Sequence, residues 1–78
     1  MSVGLEYVKS VVKKYESDLL KIEGVEGIAI GREDGEWVIM VFVEKDKYEK
    51  VKHLIPTVLD GVRVVVKLVE KPFELLPV

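Results

Sequence analysis

The sequence predicts an α+β domain with the element order α-β-β-α-β. The expected sheet has three strands, a hairpin plus a parallel crossover strand, with two helices packed on one face. Three observations predict it. An apolar stripe of helical period opens the chain, two strand-like runs flank an Asp-Gly pair, and a second helical stripe leads into a run of alternating apolar residues.

The first stripe is Leu5, Val8, Val12, Tyr15, Leu19 and Ile22, spaced by threes and fours. Such residues share one side of a helix, and the charged residues between them fall on the other. Ser2 is placed to cap this helix and Gly24 to stop it, which predicts a helix over about 3–23. Lys14 and Asp18 are spaced to pair across one turn.

The runs 25–33 and 36–44 are strand-like, with Asp34-Gly35 between them. Both central residues of a type I′ turn need positive φ, so Asp-Gly between apolar runs signals a tight hairpin and fixes its register. Arg32 then faces Trp37, Gly31 Val38, Ile30 Ile39, Ala29 Met40, Ile28 Val41, and Gly27 Phe42. Because side chains alternate, Ile28, Ile30, Trp37, Ile39 and Val41 share one face. Gly27, Ala29, Gly31, Val38, Met40 and Phe42 share the other.

Asp46, with Glu49 three residues on, reads as a capping box for a second helix. Its apolar side is Tyr48, Val51, Leu54, Ile55, Val58 and Leu59, kinked or ended at Pro56 and closed by Asp60-Gly61. The final strand, 62–69, sets Val62, Val64, Val66 and Leu68 on one face and Arg63, Val65, Lys67 and Val69 on the other. It returns parallel to the second strand by a right-handed crossover. Two strand orders satisfy this. The apolar second strand suits a central place, whereas the small residues of the first suit the split arrangement, toward which the reading leans.

The 78 residues make one domain, 1–78, ending in an apolar tail, 72–78, broken by Pro72 and Pro77. A domain this size buries only about 60% of its unfolded surface and often relies on an added staple. Cysteine is absent, so disulfides and thiolate metal sites are excluded. The chain has no Asn or Gln and a single Thr, while 33% of its residues are charged. That combination is typical of proteins from thermophiles. A net charge of −2 with interleaved signs gives no general attraction to nucleic acid or membrane. The longest apolar run, 37–43, is far short of the roughly 20 residues that span a bilayer. No signal peptide is visible, which sets the expectation of a cytoplasmic protein.

No motif points to catalysis, a metal or a cofactor, and the expectation is a protein that is not an enzyme. His53 follows Glu49 by four residues, but a metal site needs three or four ligands. Ser2, Ser10 and Ser17 lack an adjacent base. The acids Glu33, Asp34 and Glu36 around the turn lack the pattern of a dedicated calcium loop. Gly24-Val25-Glu26-Gly27 has the spacing of the KH nucleic-acid loop, but it joins helix to strand and carries Glu26 in place of basic residues. Trp37 and Phe42 fall on opposite faces, which argues against an open sheet of base-stacking aromatics.

The informative anomaly is that both sheet faces are apolar, while two helices cover only one. A sheet face left to water normally reads polar. Ala29, Val38, Met40, Phe42 and Val65 are therefore candidate interface residues. Phe73, Leu75 and Leu76 of the tail join them, as a cover folding back or crossing to a neighbour. A homodimer is the expected partner arrangement, with an unidentified protein partner as another. Arg63 and Lys67 edge this face as candidate anion contacts. They support the alternative of a small nucleic-acid or anionic-ligand binding regulatory domain.

The stretch from Gly24 to Leu68 carries Gly24-Val25, Gly27-Ile28-Ala29-Ile30-Gly31, the strand 38–43, Ile55-Pro56 and Gly61-Val62. This pattern resembles a family of uncharacterised small prokaryotic α+β proteins. Some of those are similar to a short module placed ahead of trypsin-like peptidases. The chain contains no peptidase part, so the resemblance implies no activity.

Overall fold

The structure is a computed structural model describing residues 3–70. Its elements are α1 (Leu5–Leu20), β1 (Val25–Glu33), β2 (Glu36–Glu44), α2 (Lys45–Val51), a 3-10 turn (Lys52–Leu54), β3 (Val58–Leu59) and β4 (Val62–Val69). The α+β class, the two helices and the mixed sheet follow the sequence reading. Among the described residues the sheet has four strands, in the order β1-β2-β4-β3.

Helix α1 begins at Gly4, with no side-chain cap, and Gly24 (φ +91°) turns the chain into β1. Ser2 lies outside the described residues. Val8, Val11 and Leu19 are its buried residues, with Val12, Tyr15 and Ile22 packed beside them. Val11 is an addition to the predicted stripe. Lys14 does not pair with Asp18; its ammonium lies 3.1 Å from Asp60 Oδ2 instead.

The β1–β2 hairpin has the register that Asp34-Gly35 predicted, from Arg32 opposite Trp37 to Gly27 opposite Phe42. Asp34 and Gly35 both adopt positive φ, +52° and +78°. A bulge interrupts β1 between Val25 and Gly27. β2 is central, antiparallel to β1 and parallel to β4. This overturns the lean toward a central first strand. β2 can bury side chains on both faces, whereas β1 has glycines on one.

Helix α2 is shorter than predicted. It follows β2 without a loop, and the capping box at Asp46 does not form: Glu44 is the first flanking residue and makes no side-chain cap. The Glu44 backbone N–H instead donates to the Gly24 carbonyl at 2.8 Å. Ile55 is extended, as a residue before proline prefers, so Pro56 ends the helical segment rather than kinking it. Val58 and Leu59 leave the predicted helix and form β3. Asp60 (φ +47°) and Gly61 (φ +83°) join β3 to β4 as a second tight hairpin.

The core lies between the helices and one sheet face. Val8, Val11, Leu19, Val51 and Ile55 pack on Ile39, Val41, Val43, Val62 and Val64, with Ile28, Ile30, Trp37 and Val66 around them. Leu68 was expected in this layer but is 49% exposed. It stands on β4 beyond the reach of β3, which pairs only with Val62 and Arg63.

Candidate interaction surface

The second sheet face is assembled by register. Ala29, Met40 and Val65 form one row across β1, β2 and β4. Gly27, Phe42 and Lys67 form the next, and Gly31 lies opposite Val38. The structure thus brings the predicted residues Ala29, Val38, Met40, Phe42 and Val65 onto one face. Among the described residues no helix packs there. Phe73, Leu75 and Leu76 lie outside the described residues.

The face is not bare. Ala29, Met40, Phe42 and Val65 are half-buried, and Val38 is 0% exposed although it stands outside the helix-packed core. Two features stand on this face. Met40 occupies the space that a side chain at Gly31 would need. The other feature is a group of charges that bridges non-adjacent strands. Glu33 of β1 lies 3.1 Å from the Lys67 ammonium and 3.9 Å from the Arg63 guanidinium, both on β4. Asp34 is 3.6 Å from Arg63.

Those pairs must pass over β2. Glu33 stands opposite Glu36, whereas Lys67 stands opposite Phe42, so the two are six positions apart along β2 (42 − 36). In a flat sheet that is about 20 Å along the strand, more than the two side chains span. The sheet is therefore strongly coiled, and the hairpin end curls over the face. Val38 is buried on this face, and Met40, Phe42 and Val65 beside it are half-buried. Arg63 and Lys67, the predicted anion contacts, lie on this face, and both point their charge at carboxylates of the same chain.

A second polar group was not foreseen. The Tyr7 hydroxyl donates to the Asp60 carbonyl at 2.7 Å, the Tyr15 hydroxyl to Asp60 Oδ1 at 2.8 Å, and Lys14 to Oδ2 at 3.1 Å. The Tyr15 hydrogen bond, then Lys14, hold the Asp60 carboxyl below its ordinary range, and Asp60 raises Lys14 in turn. This group clamps the β3–β4 turn to α1. A third group joins the loop after α1 to α2: Glu23 pairs with Lys47 at 3.0 Å and Lys50 at 3.4 Å, which lowers its carboxyl. Both are explained as ties between elements.

His53 is exposed, and no set of three or more His, Asp or Glu among the described residues is placed to hold a metal. No described helix is long and apolar enough to cross a membrane. No protein-family model, curated protein or solved structure matches the chain.

Proposed function

We propose that the protein is a small non-catalytic interaction module that self-associates through its second apolar sheet face. The carrying observation is the Ala29–Met40–Val65 row with Phe42 beside it, apolar and partly accessible on a face that no helix covers among the described residues. A second copy stacked on this face would bury these side chains, and symmetric pairing is the commonest solution for such a surface. The composition fits a thermophile, in which assembly supplements a small core. The resemblance to a module ahead of peptidases adds no chemistry to this reading. The alternative, an anion or nucleic-acid site on Arg63 and Lys67, is weaker, because the neighbouring carboxylates of Glu33 and Asp34 offset both charges.

The test is Phe42→Asp, followed by light scattering after size exclusion over a range of concentrations, with circular dichroism to check the fold. The wild type should run as a dimer, and the variant as a folded monomer at concentrations at least about tenfold higher, since burying an unpaired carboxylate at an interface is strongly unfavourable. An unchanged mass and stability for Phe42→Asp would defeat the reading.

A further inference from the structure

The two edges of the sheet differ. The outer edge of β1 carries a bulge after Val25 and exposed charges at Glu26 and Arg32. These are the ordinary devices that stop a strand edge from pairing with another chain. Among the described residues the outer edge of β4 is less guarded beyond Arg63. It has no bulge and no proline, and its one charge beyond Arg63, Lys67, is engaged by Glu33. β3 shields only its beginning: Leu59 and Val58 pair with Val62 and Arg63, and the Val64 N–H donates to the Thr57 carbonyl at 2.8 Å.

That last bond reveals which backbone groups face outward. Along a strand, alternate residues direct N–H and C=O to opposite edges. Val64 points toward the β3 side, so Val66 and Leu68 do as well. Among the described residues neither has a strand partner on that side. Leu68 is also 49% exposed, and Val58 of β3, at the same margin, is 56% exposed.

We infer that a second copy of this chain pairs along this edge, β4 antiparallel to β4, with Leu68 opposite Leu68 of the second copy. The choice of register is constrained. Outward-facing residues must meet outward-facing residues. Centring on Lys67 would set two like charges directly opposite. Centring on Val66 would drive the second strand against β3. Centring on Leu68 avoids both. The Leu68 N–H of each copy donates to the Leu68 carbonyl of the other, and the next rung joins Val66 to Glu70. The two exposed leucines cover one another. An antiparallel pair is two-fold symmetric and closes after two copies, giving one continuous sheet. The edge is an alternative to the face-to-face contact above as the seam of the dimer, and crosslinking separates the two.

Because the chain has no cysteine, a single Leu68→Cys substitution reports this contact directly. Directly opposite residues of a hydrogen-bonded antiparallel pair lie about 5.5 Å apart at Cα, which suits a disulfide. Under mild oxidation at micromolar concentration, Leu68→Cys should form a covalent dimer at least about tenfold faster than Phe42→Cys. In light scattering, Leu68→Lys and Val66→Pro should each raise the concentration needed for dimerisation at least about tenfold. A proline whose missing N–H faces outward leaves the monomer intact. Faster crosslinking of Phe42→Cys than of Leu68→Cys would overturn the edge and favour the face. A wild type monomeric at every concentration would overturn both.

Discussion

Met40 lies across Gly31, and the pair shows how one missing side chain shapes a surface. A methyl group at position 31 would displace the Met40 sulfur. Methionine has three rotatable bonds and gives way readily, so Gly31→Ala should cost about 1 kcal/mol, the low end for overpacking. In a Met40→Ala background most of that cost should vanish, and a double-mutant cycle by urea unfolding measures the coupling. Costs that simply add would show that Met40 does not fill this space in solution. Alternation along β1 and β2 places both residues on the same face, and that much is readable from the sequence. The lean of Met40 over Gly31 is not, because it follows from side-chain packing that no periodicity encodes. The fate of Lys67 was hidden for the same reason. Its register position beside Phe42 is legible, whereas its pairing with Glu33 depends on how far the sheet coils.

At the level of elements, two Asp-Gly pairs give opposite lessons. Asp34-Gly35 stands between long apolar runs, and its register is recovered residue by residue. Asp60-Gly61 makes the same kind of turn but is preceded by only two strand residues, Val58 and Leu59. Two residues are too short to show a period, and their valine and leucine completed a helical stripe equally well. Proline decides the matter: Ile55 is extended ahead of Pro56, so the helix cannot continue. The turn is then held by Tyr7, Lys14 and Tyr15 of α1. Since these contacts lower the Asp60 carboxyl, its folded-state value lies below its unfolded one. The stabilisation it brings is complete above the ordinary aspartate range, about pH 4, and is lost as pH falls through the lower folded value. Asp60→Asn keeps a residue that tolerates positive φ and removes the charge. The difference in thermal midpoint between wild type and Asp60→Asn should therefore be largest near neutrality and shrink in acid. A difference that does not change between pH 7 and 2 would contradict this account.

Across the whole molecule, the division of the sheet into two faces was legible, because hairpin register and alternation determine it. The order of strands was only half legible. The unbroken apolar run of β2 pointed to a central position, while the small residues of β1 suggested tight packing in the middle. In the structure those small residues accommodate Met40 and a bulged edge instead. The parallel pairing of β2 with β4 has one more effect, on the path by which the chain folds. Strands β1 and β2 meet across a two-residue turn, and such hairpins form in roughly 1–10 μs. Ile39 and Val64, by contrast, are 25 residues apart (64 − 39), so their contact requires the intervening segment to be closed into a loop first. The hairpin is thus expected to form early and β4 to dock late. In pulse-labelled refolding, amides of β2 that bond to β1 should gain protection before those of β4. Until β4 docks, one side of the apolar β2 strand stands open, and it is in that interval that newly made chains are most exposed to mispairing with one another.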